Sequence, residues 1–198
     1  MRKRLLVVLF SFIPLIAVAE TIVVLGDSIS AAYGMPLESG WVNLLSQRLD
    51  KKYPGRFEVV NASVSGDTTA GGLMRLPSLL EQHQPDLVVV ELGGNDGLRG
   101  MSLSAMRSNL ATMIELSQQQ GAEVILISVD LPTSYGIHFN RRFQQIFDQL
   151  ETSYRVPRLA LGFDQLNDRN LIQEDGIHPT AAAQPILLDA VWPLIVGG

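Results

Sequence analysis

Thr21-Ile22-Val23-Val24-Leu25-Gly26-Asp27-Ser28 is an apolar run that halts at a glycine and delivers a serine two positions later. Its aliphatic and β-branched residues follow one another without polar alternation, which describes a strand buried on both faces. Such a strand belongs to a parallel sheet covered by helices on each side, because a sheet with one wet face alternates instead. A serine at the exit of that strand is held rigidly at the sheet edge, where its hydroxyl faces the crevice in which ligands bind. Taken alone, Gly-x-Ser is also an ordinary turn.

The flanking sequence repeats the pattern. Phe57–Val60, Asp86–Glu91 (with Leu87-Val88-Val89-Val90 at its centre), Glu123–Ser128 and Pro157–Leu161 read as four further strands. Between them apolar residues fall at helical spacing. Trp41, Leu44, Leu45 and Leu49 mark one helix, closed by Pro54-Gly55. Leu73, Leu76, Leu79 and Leu80 mark a second over Thr68 to Gln84, in which Pro77 predicts a kink or a fresh start. Ser102 or Ser104 caps a third that runs to about Gln119. Leu131 to Ile137 is a loop, followed by a helix over about Asn140 to Thr152. Phe163 to Gly176 is irregular, and a last helix starts near Pro179, with Pro185 predicting a kink or a displaced start. Strands and helices alternate throughout, so the expected fold is α/β: a three-layer α/β/α, doubly wound, flavodoxin-like arrangement of a five-stranded parallel sheet in the order 2-1-3-4-5. That order reverses between the first and third strands, which is where ligands bind. Ser28 leaves the first strand there, and Gly93-Gly94-Asn95-Asp96 leaves the third.

The beginning of the chain follows a different rule. Arg2-Lys3-Arg4 precede an apolar run from Leu5 to Ile16, and Ala17-Val18-Ala19 closes it with small residues at the spacing of a signal-peptidase site. Residues 1–19 therefore read as a secretory signal cut after Ala19, and residues 20–198 as a single domain. The apolar run is shorter than the ~20 residues that a membrane-spanning helix needs. Export to the periplasm is the expectation, with no stable membrane anchor once the signal is gone. There is no cysteine, so neither disulfides nor a lipidated cysteine hold the exported protein. Three of the 15 basic residues and none of the 20 acidic ones lie in the leader, which leaves the remaining chain at −8. No basic stripe is present, so nucleic acid is excluded as a partner. A monomer acting on a small molecule is expected.

A serine nucleophile needs a base, an orienter and oxyanion donors. Of the three histidines, His83 ends a helical stretch and His138 begins one. His178 stands in Asp175-Gly176-Ile177-His178-Pro179 at a strand-to-helix junction. In a turn, Asp175 three residues earlier is able to accept a hydrogen bond from the imidazole and fix its tautomer; the same Asp also reads as a helix cap. Asn95 presents an amide, and Gly66, in Ser63-Val64-Ser65-Gly66-Asp67, presents a backbone N–H. These residues follow strands one, two, three and five at one edge of the sheet. Asp27, Asp67 and Asp96 read as turn-forming or capping groups. No metal is expected, because no His/Asp cluster has the spacing of a closed site.

Four blocks, Gly26-Asp27-Ser28, Gly66 within Ser-x-Ser-Gly-Asp-Thr-Thr, Gly93-Gly94-Asn95-Asp96 and Asp175-Gly176-Ile177-His178-Pro179, resemble in order and spacing the SGNH, or GDSL, hydrolase superfamily. Within it the chain is most similar to the small periplasmic multifunctional esterases of Gram-negative bacteria, which act as thioesterase, protease, lysophospholipase and arylesterase. The resemblance implies Ser28 as nucleophile, His178 as base and Asp175 as its orienter. It implies an oxyanion hole from the Ser28 and Gly66 amides and the Asn95 side chain, and no cofactor. Ser30 stands where a Gly-x-Ser-x-Gly elbow has its last glycine, which argues against the α/β-hydrolase fold.

The expected reaction is hydrolysis of acyl esters and thioesters through an acyl-enzyme. An imidazole base is expected to give a kcat/KM that rises with pH through one ionisation. Leu98, Met101, Leu131, Pro132, Tyr135, Ile137 and Ile177 are the candidates for an acyl groove, with Gly97, Gly100 and Gly136 expected to let the loops shift. Such a groove favours medium-length acyl groups over acetyl, and acyl length is expected to matter more than leaving-group charge. The alternatives are a carbohydrate O-deacetylase and a non-catalytic periplasmic carrier of a lipid or small anion.

Overall fold

The computed structural model describes residues 19–162 and 170–197. The expected leader, apart from Ala19, lies outside the described residues, as do the 163–169 part of the irregular stretch and residue 198.

Strands β1 (Glu20–Gly26), β2 (Phe57–Asn61), β3 (Leu87–Glu91), β4 (Glu123–Val129) and β5 (Arg158–Leu161) form one sheet in the order β2-β1-β3-β4-β5. All four pairings are parallel. Ile22 to Leu25 and Val88 to Val90 are at most 1% exposed, as continuous apolar runs require. The edge strands β2 and β5 are only partly covered.

Helices close the two faces. On one side α2 (Thr69–His83), α4 (Leu103–Gln119) and α5 (Ile137–Tyr154) pack Leu76, Leu110, Met113, Phe143 and Phe147 against Val88, Val90 and Leu126. On the other, α1 (Trp41–Lys52) and α6 (Gln184–Val196) pack Trp41, Leu45, Leu49, Leu187 and Val191 against Ile22, Val24 and Val89. Each such side chain contributes ~1.5–3 kcal/mol by leaving water. A short helix, α3 (Gly94–Leu98), follows β3 directly.

Three expectations shift. Pro77 lies inside one continuous α2 and starts no new segment; it faces solvent, so the carbonyl its ring deprives of a partner is not sealed into the core. Helix α5 starts at Ile137, not near Asn140, after a 3-10 turn at Thr133–Tyr135. The last helix starts at Gln184 and not near Pro179, the displaced start that Pro185 offered, with Pro185 in its first turn where a missing N–H costs nothing. A 3-10 turn at Ala181–Ala183 fills the gap. Gln184 is fully buried, and its Oε1 accepts from the Trp41 amide at 2.9 Å. Helix α6 thereby supplies the cap that Gly40, lacking a side chain, does not give α1.

Candidate active site

Gly26 pairs with Glu91 across β1 and β3 at the carboxyl edge of the sheet. A Cβ on Gly26 would meet Ser30 Cβ at 2.7 Å and Glu91 Oε2 at 2.9 Å, so glycine is required for the chain to turn there. Asp27 Oδ1 accepts from the Ile29 amide at 3.1 Å, and the Ala31 and Tyr33 amides donate to the Asp27 and Ser28 carbonyls. This turn leaves Ser28 partly exposed above a buried Asp27 and Ser30. Ser30 Oγ donates to Glu91 Oε2 at 2.9 Å and accepts from Trp41 Nε1 at 3.2 Å. A glycine there would forfeit both bonds.

The histidine arrives on the segment between β5 and α6. Gln173 N donates to the His178 carbonyl and Thr180 N to that of Leu171, closing a tight turn in which Gly176 takes φ +72°. Asp175 Oδ1 accepts from the Ile177 and His178 amides at 2.9 and 3.0 Å, and Oδ2 lies 2.6 Å from His178 Nδ1. The opposite ring nitrogen, Nε2, lies 2.8 Å from Ser28 Oγ. Burial pushes the Asp175 carboxyl up, but the two amides and the imidazole outweigh it and hold it at about 2. An ionised Asp175 selects the tautomer with the proton on Nδ1 and leaves Nε2 to accept from the serine. The Tyr33 ring lies 4.4 Å from the imidazole, centroid to centroid. Gln173 Nε2 donates to the Tyr33 and Pro179 carbonyls at 2.8 and 3.0 Å, tying the serine and histidine loops together.

Asn95 lies in α3, and its Nδ2 donates to Asp27 Oδ2 at 3.0 Å. Arg99 Nη2 donates to the Gly66 carbonyl at 2.9 Å and approaches Asn95 Oδ1 at 3.5 Å, so one guanidinium joins the two loops that carry Gly66 and Asn95. Gly66 has φ +79°, a conformation that favours glycine. Asp67 pairs with Arg75 at 2.6 Å. Asp96, 2% exposed, accepts from the Thr69 amide at 2.9 Å and the Thr69 hydroxyl at 2.6 Å. Asp67 and Asp96 thus hold the start of α2, as read from the sequence, whereas Asp27 both shapes its turn and accepts from Asn95. His83 ends α2, and His138 is exposed in the first turn of α5.

The groove candidates divide. Met101, Tyr135 and Ile137 are 41%, 39% and 70% exposed; Leu98, Pro132 and Ile177 are half-buried. Tyr135 donates its hydroxyl to the Leu98 carbonyl at 2.7 Å, which joins the two loops. Leu131 departs from the expectation: it is 5% exposed and belongs to the core. Gly97 departs with it, because a Cβ there would meet Leu131 Cδ1 at 2.6 Å; it is a packing glycine in a helix and not a hinge. Gly100 and Gly136 take positive φ in open space.

Sequence reasoning overlooked Glu91, Trp41 as a polar partner, Arg99 and Gln173. Glu91 carried the only available signal: a carboxylate closing a wholly apolar strand at the edge where ligands bind.

The GDSL-like Lipase/Acylhydrolase family matches residues 24–185. Esterase TesA of Pseudomonas aeruginosa is 47% identical over 183 residues, covering 90% of this chain and 89% of that protein. Thioesterase 1/protease 1/lysophospholipase L1 of Escherichia coli K12 is 41% identical, covering 87% of this chain and 82% of that protein. Among solved structures, a crystal structure of TesA superposes with a TM-score of 0.84 at 43% identity, over 90% of this chain and 99% of that one. The matched span holds all four motif blocks, the sheet order agrees, and the chain belongs to the GDSL-like lipase/acylhydrolase family.

Proposed function

We propose that the protein is a serine hydrolase of carboxylic esters and thioesters, with Ser28 as nucleophile, His178 as general base and Asp175 as its orienter. The observation that carries this reading is the continuous line from Asp175 through His178 to Ser28, with contacts of 2.6 and 2.8 Å. His178 Nε2 takes the Ser28 proton as Oγ attacks the acyl carbon. The negative charge that develops on the carbonyl oxygen meets the Ser28 and Gly66 amides and Asn95 Nδ2. His178 returns the proton to the departing alcohol or thiol, leaving an acyl-enzyme. Water then attacks by the same route, with His178 again the base, and releases the acid. Asp175 stays ionised throughout and stabilises the imidazolium.

Family membership supports ester hydrolysis, and the printed names of the relatives span esterase, thioesterase and lysophospholipase. The proposed substrate is a small acyl ester or thioester, handled by a monomer. The decisive test is Ser28→Ala. Turnover should fall by about 10⁴–10⁶ while the circular dichroism spectrum stays that of the parent; residual activity within about tenfold, ~1.4 kcal/mol of barrier, would remove Ser28 from the nucleophile role.

The proposal extends to export. The basic head, apolar run and Ala17-Val18-Ala19 support cleavage after Ala19 and a periplasmic enzyme. N-terminal sequencing of the exported protein should begin at Glu20; a soluble exported form that still carries Met1 to Ala19 would contradict it.

A further inference from the structure

Glu91 is a carboxyl that the acyl-transfer steps leave unused. It ends β3 at 1% exposure, next to an equally hidden Asp27 at 3%. Two carboxylates in one dry space repel each other, and a hydrogen bond between two carboxyls requires a proton. The Asp27 amide donates to Glu91 Oε2 at 3.3 Å, which brings the two buried residues together at the strand ends. The surrounding donors show which one carries the proton. Asp27 accepts from the Ile29 amide through Oδ1 and from Asn95 Nδ2 through Oδ2, so both its oxygens act as acceptors. Burial, and after it the Asp27 charge, push the Glu91 carboxyl well above its usual range. Burial raises Asp27 as well, but less, because the Ile29 amide, the Asn95 side chain and the charge of His178 oppose the rise.

We propose that Glu91 and Asp27 form a one-proton carboxyl pair that positions the oxyanion donors, with protonated Glu91 donating to ionised Asp27 and Asp27 holding the Asn95 amide in place. The proposal rests on the reading of Asn95 as an oxyanion donor. An Asn side chain has two faces of similar shape and opposite polarity, so its direction is set by its partners. Here Asp27 accepts at the nitrogen end and Arg99 approaches the oxygen end. One N–H of Nδ2 is thus engaged by Asp27, and the other remains for the substrate oxygen. The same pair braces the nucleophile turn. Glu91 Oε2 accepts from the Asp27 amide at 3.3 Å and from Ser30 Oγ at 2.9 Å, with the Trp41 indole behind Ser30. Gly26 makes room for this, since its Cβ would stand 2.9 Å from Glu91 Oε2.

A consequence for pH follows from the charges. The groups facing the pair are Asp27 and Ser30 from the turn after β1, the neutral indole of Trp41 from α1, Asn95 from α3 with Arg99 beyond it, and His178 from the last loop. Loss of the Glu91 proton in alkaline solution places a second negative charge beneath the point where the oxyanion forms. The transition state is disfavoured, and kcat falls on the alkaline side.

Infrared spectroscopy of the folded protein tests the pair without reference to catalysis. At pH 7 the wild type should show the C=O stretch of one protonated carboxyl, which is absent from Glu91→Gln and disappears from the wild type as the pH is raised, in step with the fall in kcat. A wild type with no such band overturns the proposal, as does an alkaline fall in kcat that persists in Glu91→Gln. If Glu91→Gln does not fold, the wild-type titration and Asp27→Asn carry the test. Asp27→Asn should lower kcat about 10–100-fold, the scale of a small misplacement, with KM within about twofold; a raised KM at unchanged kcat overturns the positioning role. Asn95→Ala separates this proposal from the one beneath it. An unchanged kcat there removes Asn95 from the oxyanion hole and the positioning role with it, while the infrared band still reports whether the pair exists.

Discussion

Asp175 holds its proton far less tightly in the folded chain than as a free side chain: its carboxyl is lowered from 3.8 to about 2. A group lowered on folding adds stability above its unfolded value, and that stability is lost as the pH falls through the folded one. The Asp175 contribution is therefore complete at neutral pH and disappears between about pH 4 and pH 2. In urea titrations across that window, Asp175→Asn should show a shallower loss of midpoint than the parent; parallel curves would mean that the charge of Asp175 does not couple to folding. At this scale Ser28, Asp175 and His178 were legible because each occupies a turn whose spacing has a chemical meaning. Glu91 was not: in a linear sequence, a Glu after Leu-Val-Val-Val reads as the solvated end of a strand. Only the register that pairs it with Gly26, whose missing side chain leaves the space, shows that it turns inward. Leu131 failed in the opposite direction. An apolar residue in a loop reads as available to a ligand until the glycine it fills against, Gly97, is seen in contact with it.

Helix α2 begins under an unusual restraint. Thr68 caps it, with its hydroxyl accepting from Gly71 N at 3.3 Å, while the next orphan amide, that of Thr69, is satisfied from another element by Asp96 in α3. Because Asp96 also accepts from the Thr69 hydroxyl, one buried carboxylate links the loop after β3 to the start of α2. Asp96→Ala strands two buried donors and should cost about 1–3 kcal/mol for each donor left unsatisfied. Chemical denaturation measures this; a midpoint equal to the parent's would show that water replaces the carboxylate at no cost. Boundaries were the least legible feature of the elements. Gly136 and the turn before it start α5 at Ile137, earlier than its apolar spacing suggested, whereas Ala181–Ala183 delay α6 until its Gln184 reaches the α1 terminus. Both starts are set by partners in space, which local periodicity does not contain.

At the scale of the whole molecule the sheet order was readable, because the three inner strands are near-continuous apolar runs and each connection is long enough for a crossover helix. The same order brings the segment after β3 and the segment after β4 to the sheet edge that Ser28 leaves, and the exposed Met101, Tyr135 and Ile137 on them are the contacts proposed for an acyl chain. Each methylene they bury adds ~0.8 kcal/mol, about fourfold in kcat/KM, until the groove is full. Esters sharing one leaving group should therefore improve from acetyl to medium-length acyl chains; a steady decline from acetyl onward would favour the carbohydrate deacetylase. Ser28 and His178, which meet in the proposed proton transfer, lie 150 positions apart. A ribosome delivers the proposed nucleophile early and the proposed base nearly last, and Gln173, whose amide ties their two loops together, emerges after β5. A chain still emerging therefore lacks the proposed base and is expected to be chemically silent toward cellular acyl esters. Recovered turnover after dilution from denaturant should report the closing of the whole chain, and a fragment that stops short of His178 should carry no activity.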